Sequence, residues 1–165
     1  MLPVTAEKSA NLAEKVARCA RERDLTVAVA ESLTSGLLVS TLGAAEDASE
    51  WLRGGVVAYA TPVKQKVLAV SPGPVVSARC AEEMAAGVAA HLDADAAVAT
   101  TGVGGPDSEE GREPGTVYIG WWVHGQAGSE LYTFDGSPEE VLEATVAAAL
   151  ADLLRAMDAA ERRAS

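Results

Sequence analysis

The stretch Thr26-Val27-Ala28-Val29-Ala30-Glu31-Ser32-Leu33-Thr34-Ser35-Gly36-Leu37-Leu38 carries the fold in miniature. A short β-branched run gives way to small polar residues and glycine, and then to the apolar, helix-like segment Leu37 to Leu42. A strand turning sharply into a helix leaves backbone N–H groups unpaired at the turn. Such a turn can present a hydroxyl nucleophile beside the donors that stabilise an oxyanion. Ser32 is the first candidate for chemistry. A small hydroxyl residue before a helix is also a plain N-cap, and Thr34 and Ser35 compete for that duty.

Working outward, Thr5 to Arg23 places apolar Leu12, Val16 and Cys19 among charges and reads as an amphipathic helix feeding the strand Thr26 to Ala30. Downstream, Gly43 to Glu50 is a small-residue connection. Trp51 to Gly55 opens a strand over Val56 to Ala60, and Thr61-Pro62 reads as a capped helix start ending near Val70. Ser71 to Pro74 is a turn. Ser77 caps an alanine-rich helix reaching about His91, and Ala96 to Thr101 is a buried strand running into Gly102-Val103-Gly104-Gly105-Pro106. Residues 107–114 read as a mobile, solvated polar loop. Gly115 to Val123 and Ser129 to Phe134 form a hairpin about His124-Gly125-Gln126, and Ser137-Pro138-Glu139-Glu140 is a capping box opening the last helix. Helices and strands alternate early, and a hairpin and a helix close the chain. The pattern predicts a three-layer α/β/α sandwich with a mixed sheet.

Composition narrows the function. The chain has 165 residues, 48% of them apolar, enough for a substantial core. A net charge of −11 disfavours general nucleic-acid binding and anionic membrane surfaces. Neither a secretory leader nor a bilayer-length apolar run is visible, so a soluble, cytoplasmic protein is expected. Cys19 and Cys80 read as buried helix thiols, with a disulfide between them as the other reading. His91 and His124 stand alone as surface or edge residues, without metal-site spacing, and no metal or cofactor is called for. The glycine-rich loop matches neither the dinucleotide nor the P-loop spacing. The alanine-rich helices and an exposed hairpin leave room for self-association into a homo-oligomer.

Ligands in open α/β sheets bind beyond the carboxyl ends of the strands. There this reading places Glu31 to Gly36, Tyr59 to Lys64 and Thr100 to Pro106. Lys64, on the first turn of a helix, serves as a base for Ser32 if burial and the helix dipole lower its pKa; a solvated surface lysine is the other reading. Tyr59, ending a strand, either donates a phenolic hydrogen bond into the site or is a core tyrosine. Lys66 reads as surface.

Taken together, Ala30-Glu31-Ser32-x-Thr34-x-Gly36, Gly54-Gly55-Val56-Val57-Ala58-Tyr59 with Lys64 five residues on, Val76-Ser77, Thr101 to Pro106 and Pro114-Gly115-Thr116-Val117-Tyr118 resemble the CinA C-terminal domain family, whose characterised activity is nicotinamide-nucleotide amidohydrolase. The resemblance covers essentially the whole chain and implies one domain over residues 1–165, without room for the molybdopterin-binding-like domain of larger members. It implies a serine–lysine amidase that deamidates nicotinamide mononucleotide (NMN) to the nicotinate nucleotide and ammonia. Ser32 would be nucleophile and Lys64 base, with Tyr59 and Thr101 holding the dyad and the amide. Backbone N–H groups over Leu33 to Gly36 would bind the oxyanion. Glu31, Thr34, Gly36, Gly102, Gly104 and Gly105 would complete the substrate site.

One departure stands out. The family's Gly-Asp-Arg after the last strand, and an arginine a turn later, are here Gly136-Ser137-Pro138 and Leu142, leaving Arg53, Lys66 or Arg112 to substitute as a phosphate anchor. Two alternatives therefore stand beside NMN deamidation: a degenerate nucleotide- or protein-binding domain, and a Ser-Lys amidase for another small amide.

Overall fold

The structure, a computed structural model, describes residues 4–165. In chain order it comprises α1 (Val4–Glu22), β1 (Val27–Glu31), α2 (Leu37–Gly43), α3 (Ala48–Trp51), β2 (Leu52–Val57), α4 (Thr61–Leu68) and α5 (Ala78–Leu92), then β3 (Ala96–Gly102), β4 (Thr116–Val123), β5 (Gln126–Thr133) and α6 (Pro138–Ala164). The five strands form one sheet in the order β2-β1-β3-β4-β5, with β2, β1 and β3 parallel and β4 and β5 antiparallel. The mixed sheet between helical layers is the expected α/β/α sandwich.

Strand alternation sorts the core into two halves. Val27 and Val29 of β1 and Val98 of β3 face α1, α2 and α6, where Leu38, Leu42, Leu150, Leu153 and Met157 complete the larger cluster. Their neighbours Ala28, Ala30, Ala97 and Ala99 face the other way, toward Leu68 of α4 and Cys80, Met84 and Val88 of α5. An all-alanine sheet face lets a helix approach closely. Glycines deepen that approach: a Cβ at Gly120 of β4 would overlap the Ala81 carbonyl of α5, and one at Gly87 of α5 would overlap the Leu68 carbonyl of α4.

Local chemistry explains most boundaries. Ser77 caps α5, its hydroxyl accepting from Cys80 N–H, and Ser137 and Glu140 close the capping box of α6. Several boundaries differ from the sequence reading. The hairpin turn is tighter than expected, because His124 and Gly125 both take positive φ (47° and 85°) and β5 pairs from Gln126 onward. β2 ends at Val57, so Tyr59 lies beyond the strand. The N-cap of α4 is Ala60 with no side-chain hydrogen bond, and Thr61 falls inside the helix beside Pro62. A short helix, α3, interrupts the small-residue connection before β2. Both cysteines are free and buried. Among the described residues no helix is long and apolar enough to cross a membrane.

The order of connections positions the site. From β1 the chain crosses by α2 and α3 to β2 on one side, then returns by α4 and α5 on the other face to β3 on β1's opposite flank. The loops leaving the carboxyl ends of β1 and β2 therefore part to opposite faces, toward α2 and α4, and open a crevice beside the end of β3. Gly102 pairs with Val117 and Thr116 with Thr133, which brings the start of β4, the end of β5 and hence the first turn of α6 to the same edge.

Candidate active site

At that edge lies a cavity of about 610 Å³, within the range of small-molecule sites. All three loops singled out from the sequence reach it: Ser32 from the first, Tyr59 and Lys64 from the second, Thr101, Gly102, Gly104 and Gly105 from the third. The remaining wall comes from Val75, Val76, Glu109, Glu110 and the α6 residues Pro138 and Leu142.

The β1–α2 turn is built by a carboxylate. Ser35 and Gly36 both take positive φ (50° and 104°), and Gly36, the N-cap of α2, has no side chain to offer. Glu31, fully buried at the end of β1, reaches across instead, and its carboxylate accepts from Leu38 N–H at 2.8 Å and Val39 N–H at 3.1 Å. None of Ser32, Thr34 and Ser35 therefore caps this helix. Thr34 pairs hydroxyl to hydroxyl with Thr100 at 2.9 Å, tying the turn to β3. Glu31, Thr34 and Gly36 shape the turn from behind and are not among the lining residues. Ser35 N–H is spent on the Ser32 carbonyl at 3.2 Å, whereas among the described residues no protein acceptor takes the N–H of Leu33, Thr34 or Gly36. The oxyanion donors expected over Leu33 to Gly36 thus lose Ser35 but keep the other three free.

Lys64 sits on the first turn of α4 with only 1% of its surface exposed. Its ammonium donates to the Tyr59 carbonyl at 2.9 Å. Burial pushes its pKa below the ordinary lysine value, opposed by Cys80, Glu109 and Glu110. No direct hydrogen bond joins Lys64 Nζ to Ser32 Oγ among the described residues; both groups open on the one cavity. Tyr59 holds the lysine through its backbone, while its side chain, 68% exposed, stands at the mouth rather than in the core. Thr101, buried, donates to the Val75 carbonyl at 2.7 Å and so fixes the wall.

The polar segment 107–114 is not a free solvated loop. Glu110 accepts from Val75 N–H at 3.0 Å and Val76 N–H at 2.6 Å, and Glu109 and Arg112 exchange backbone hydrogen bonds. This wall was missed because its acids match no motif. The available signal was position: the segment follows directly on a loop already assigned to the strand ends. Of the three substitute cations, Arg53 lies at the start of β2, at the opposite edge, bound to Asp93. Lys66 is exposed on α4, and Arg112 stands over the Tyr118 ring at 6.0 Å. None of them lines the cavity. Among the described residues no group of three or more His, Cys, Asp or Glu side chains is gathered to hold a metal.

The sequence model of the CinA C-terminal domain matches residues 9–157, nearly the whole chain. The chain belongs to the CinA C-terminal domain family. It is 40% identical over 137 residues to protein YdeJ of Escherichia coli K12, covering 79% of this chain and 80% of that one. It is 46% identical over 112 residues to a relative from Geobacillus kaustophilus that carries the provisional name competence-damage inducible protein, covering 64% of this chain. The match spans about a quarter of the Geobacillus relatives' length (27%). Crystal structures of CinA superfamily proteins superpose closely. One from Enterobacter cloacae gives a TM-score of 0.88 at 31% identity, over 90% of this chain and 92% of that one. One from E. coli gives 0.87 at 37%, over 93% and 92%.

Proposed function

We propose that this CinA-family chain is an amidohydrolase in which Ser32 is the nucleophile and Lys64 the general base, acting on the carboxamide of nicotinamide mononucleotide or a related small amide. The observation that carries this reading is the Glu31 cap. With α2 capped by a carboxylate, the Ser32 hydroxyl is released from structural duty beside a cavity that also holds a buried lysine, and the N–H of its lining neighbour Leu33 has no protein acceptor among the described residues.

In this reading one Lys64 N–H stays on the Tyr59 carbonyl and the neutral amine directs its lone pair into the cavity. As Ser32 Oγ attacks the carboxamide carbon, its proton passes to Nζ, directly or through one water. The oxygen of the tetrahedral intermediate takes up charge against the unclaimed N–H groups, each such donor lowering the barrier by about 3 kcal/mol. Lys64 then returns the proton to the departing nitrogen, ammonia leaves, and an ester on Ser32 remains. Water adds to that ester with Nζ again accepting a proton, Ser32 Oγ is reprotonated, and the carboxylic acid departs.

Ammonia release from NMN, nicotinamide and a panel of small amides tests the proposal. Wild-type protein turns over at least one of them, and Ser32→Ala and Lys64→Ala each lose about 10³-fold or more in kcat while keeping the wild-type circular dichroism spectrum. Turnover that survives Ser32→Ala would remove the proposal.

A further inference from the structure

The cavity's fixed charge comes from three side chains. Lys64 is the one cation among the described lining residues, and it is buried. Glu109 and Glu110 are exposed lining residues. The Glu110 carboxylate and the Glu109 backbone are both held in place. Glu110 is held by the Val75 and Val76 N–H groups, and the Glu109 backbone is paired with that of Arg112, N–H to carbonyl at 3.2 and 2.8 Å. The nearby Arg112 guanidinium is engaged over Tyr118 rather than turned to the cavity. With the Lys64 amine turned to the Tyr59 carbonyl, a ligand meets two carboxylates against a single buried amine.

We infer that the site admits carboxamides whose remaining groups are neutral or cationic and discriminates against those bearing a phosphate. The chemistry follows from charge alone. A phosphate is gripped best by converging arginines or lysines, of which the described lining residues supply only Lys64, and the two carboxylates of the wall oppose its approach. A pyridinium ring or an ammonium group instead gains from the same carboxylates. Glu109 becomes the specificity-determining residue, since Glu110 is already committed to the wall. The inference rests on the amidase reading for the reaction, but its charge preference is measurable without turnover.

The test compares NMN with its phosphate-free nucleoside, nicotinamide riboside, on the full chain. The expected kcat/KM favours the nucleoside by about tenfold or more. Glu109→Lys, an exposed position, moves the ratio toward the nucleotide by about tenfold or more. Preference for the nucleotide by wild-type protein overturns the inference, as does a ratio that Glu109→Lys leaves unchanged. If neither compound releases ammonia, calorimetric titration of both decides the charge preference, and the amidase reading is judged separately on the wider amide panel. Tighter binding of the nucleoside sustains it; tighter binding of the nucleotide, or binding of neither, overturns it.

Discussion

A buried carboxylate decides what the hydroxyl beside it can do. Glu31 satisfies two N–H groups of α2 from the end of a neighbouring strand, so the adjacent Ser32 owes nothing to the helix. Glu31→Ala strips those N–H groups of a charged acceptor in a buried setting and is expected to cost about 1–3 kcal/mol, read from denaturant midpoints. Glu31→Gln, which keeps an acceptor oxygen, is expected to recover part of it. The identity of this cap was not legible in the sequence. Local rules assign caps to the small hydroxyl residues nearest the helix, and here Ser35 and Gly36 turn through positive φ, so the duty falls to Glu31 at the end of the preceding strand. Tyr59 shows the same limit. Its place was legible, but that its carbonyl rather than its phenol holds Lys64 depends on where β2 stops and α4 begins.

At the scale of elements, the lysine's position depends on how α4 rests on α5. Gly87 permits that contact, because any Cβ there would meet the Leu68 carbonyl, one turn beyond Lys64. Gly87→Ala is expected to destabilise the fold by about 1–3 kcal/mol, measured by thermal or urea unfolding, and to lower turnover by displacing Lys64. An outcome in which stability falls and residual activity per folded molecule is unchanged would separate this packing from the site. The elements themselves were largely readable: the alternation of Val27, Ala28, Val29 and Ala30 and the Ser137 capping box are local signals. The Ala28, Ala30, Ala97 and Ala99 face was visible as composition. Its pairing with α5 was not, since that requires knowing which flank of β1 receives β3.

Over the whole molecule, charge governs what arrives at the crevice. The chain carries −11, and several of its cations are already paired: Arg21 with Glu46 and Asp47, Arg23 with Asp158 and Glu161, Arg79 with Glu83, Arg155 with Asp152. Such a surface repels an anionic substrate over roughly 30 Å at 10 mM salt and over about 10 Å at 100 mM. The kcat/KM for a phosphorylated amide is expected to rise across that range, and that for a cationic amide to fall; opposite slopes would contradict this electrostatic picture. Net charge was plain from the sequence. The placing of Glu109 and Glu110 in the wall was not, because a polar run carries no mark of what it folds against.

The pH dependence of ammonia release by wild-type protein and by Lys64→Met tests the dyad most directly. A base that must shed its proton gives a kcat/KM that rises with pH. Burial of Lys64 places the midpoint of that rise below the ordinary lysine value of about 10.4. Lys64→Met is expected to fold, with both the turnover and the rising limb gone. A folded Lys64→Met protein that keeps the same limb would mean that another group takes the proton.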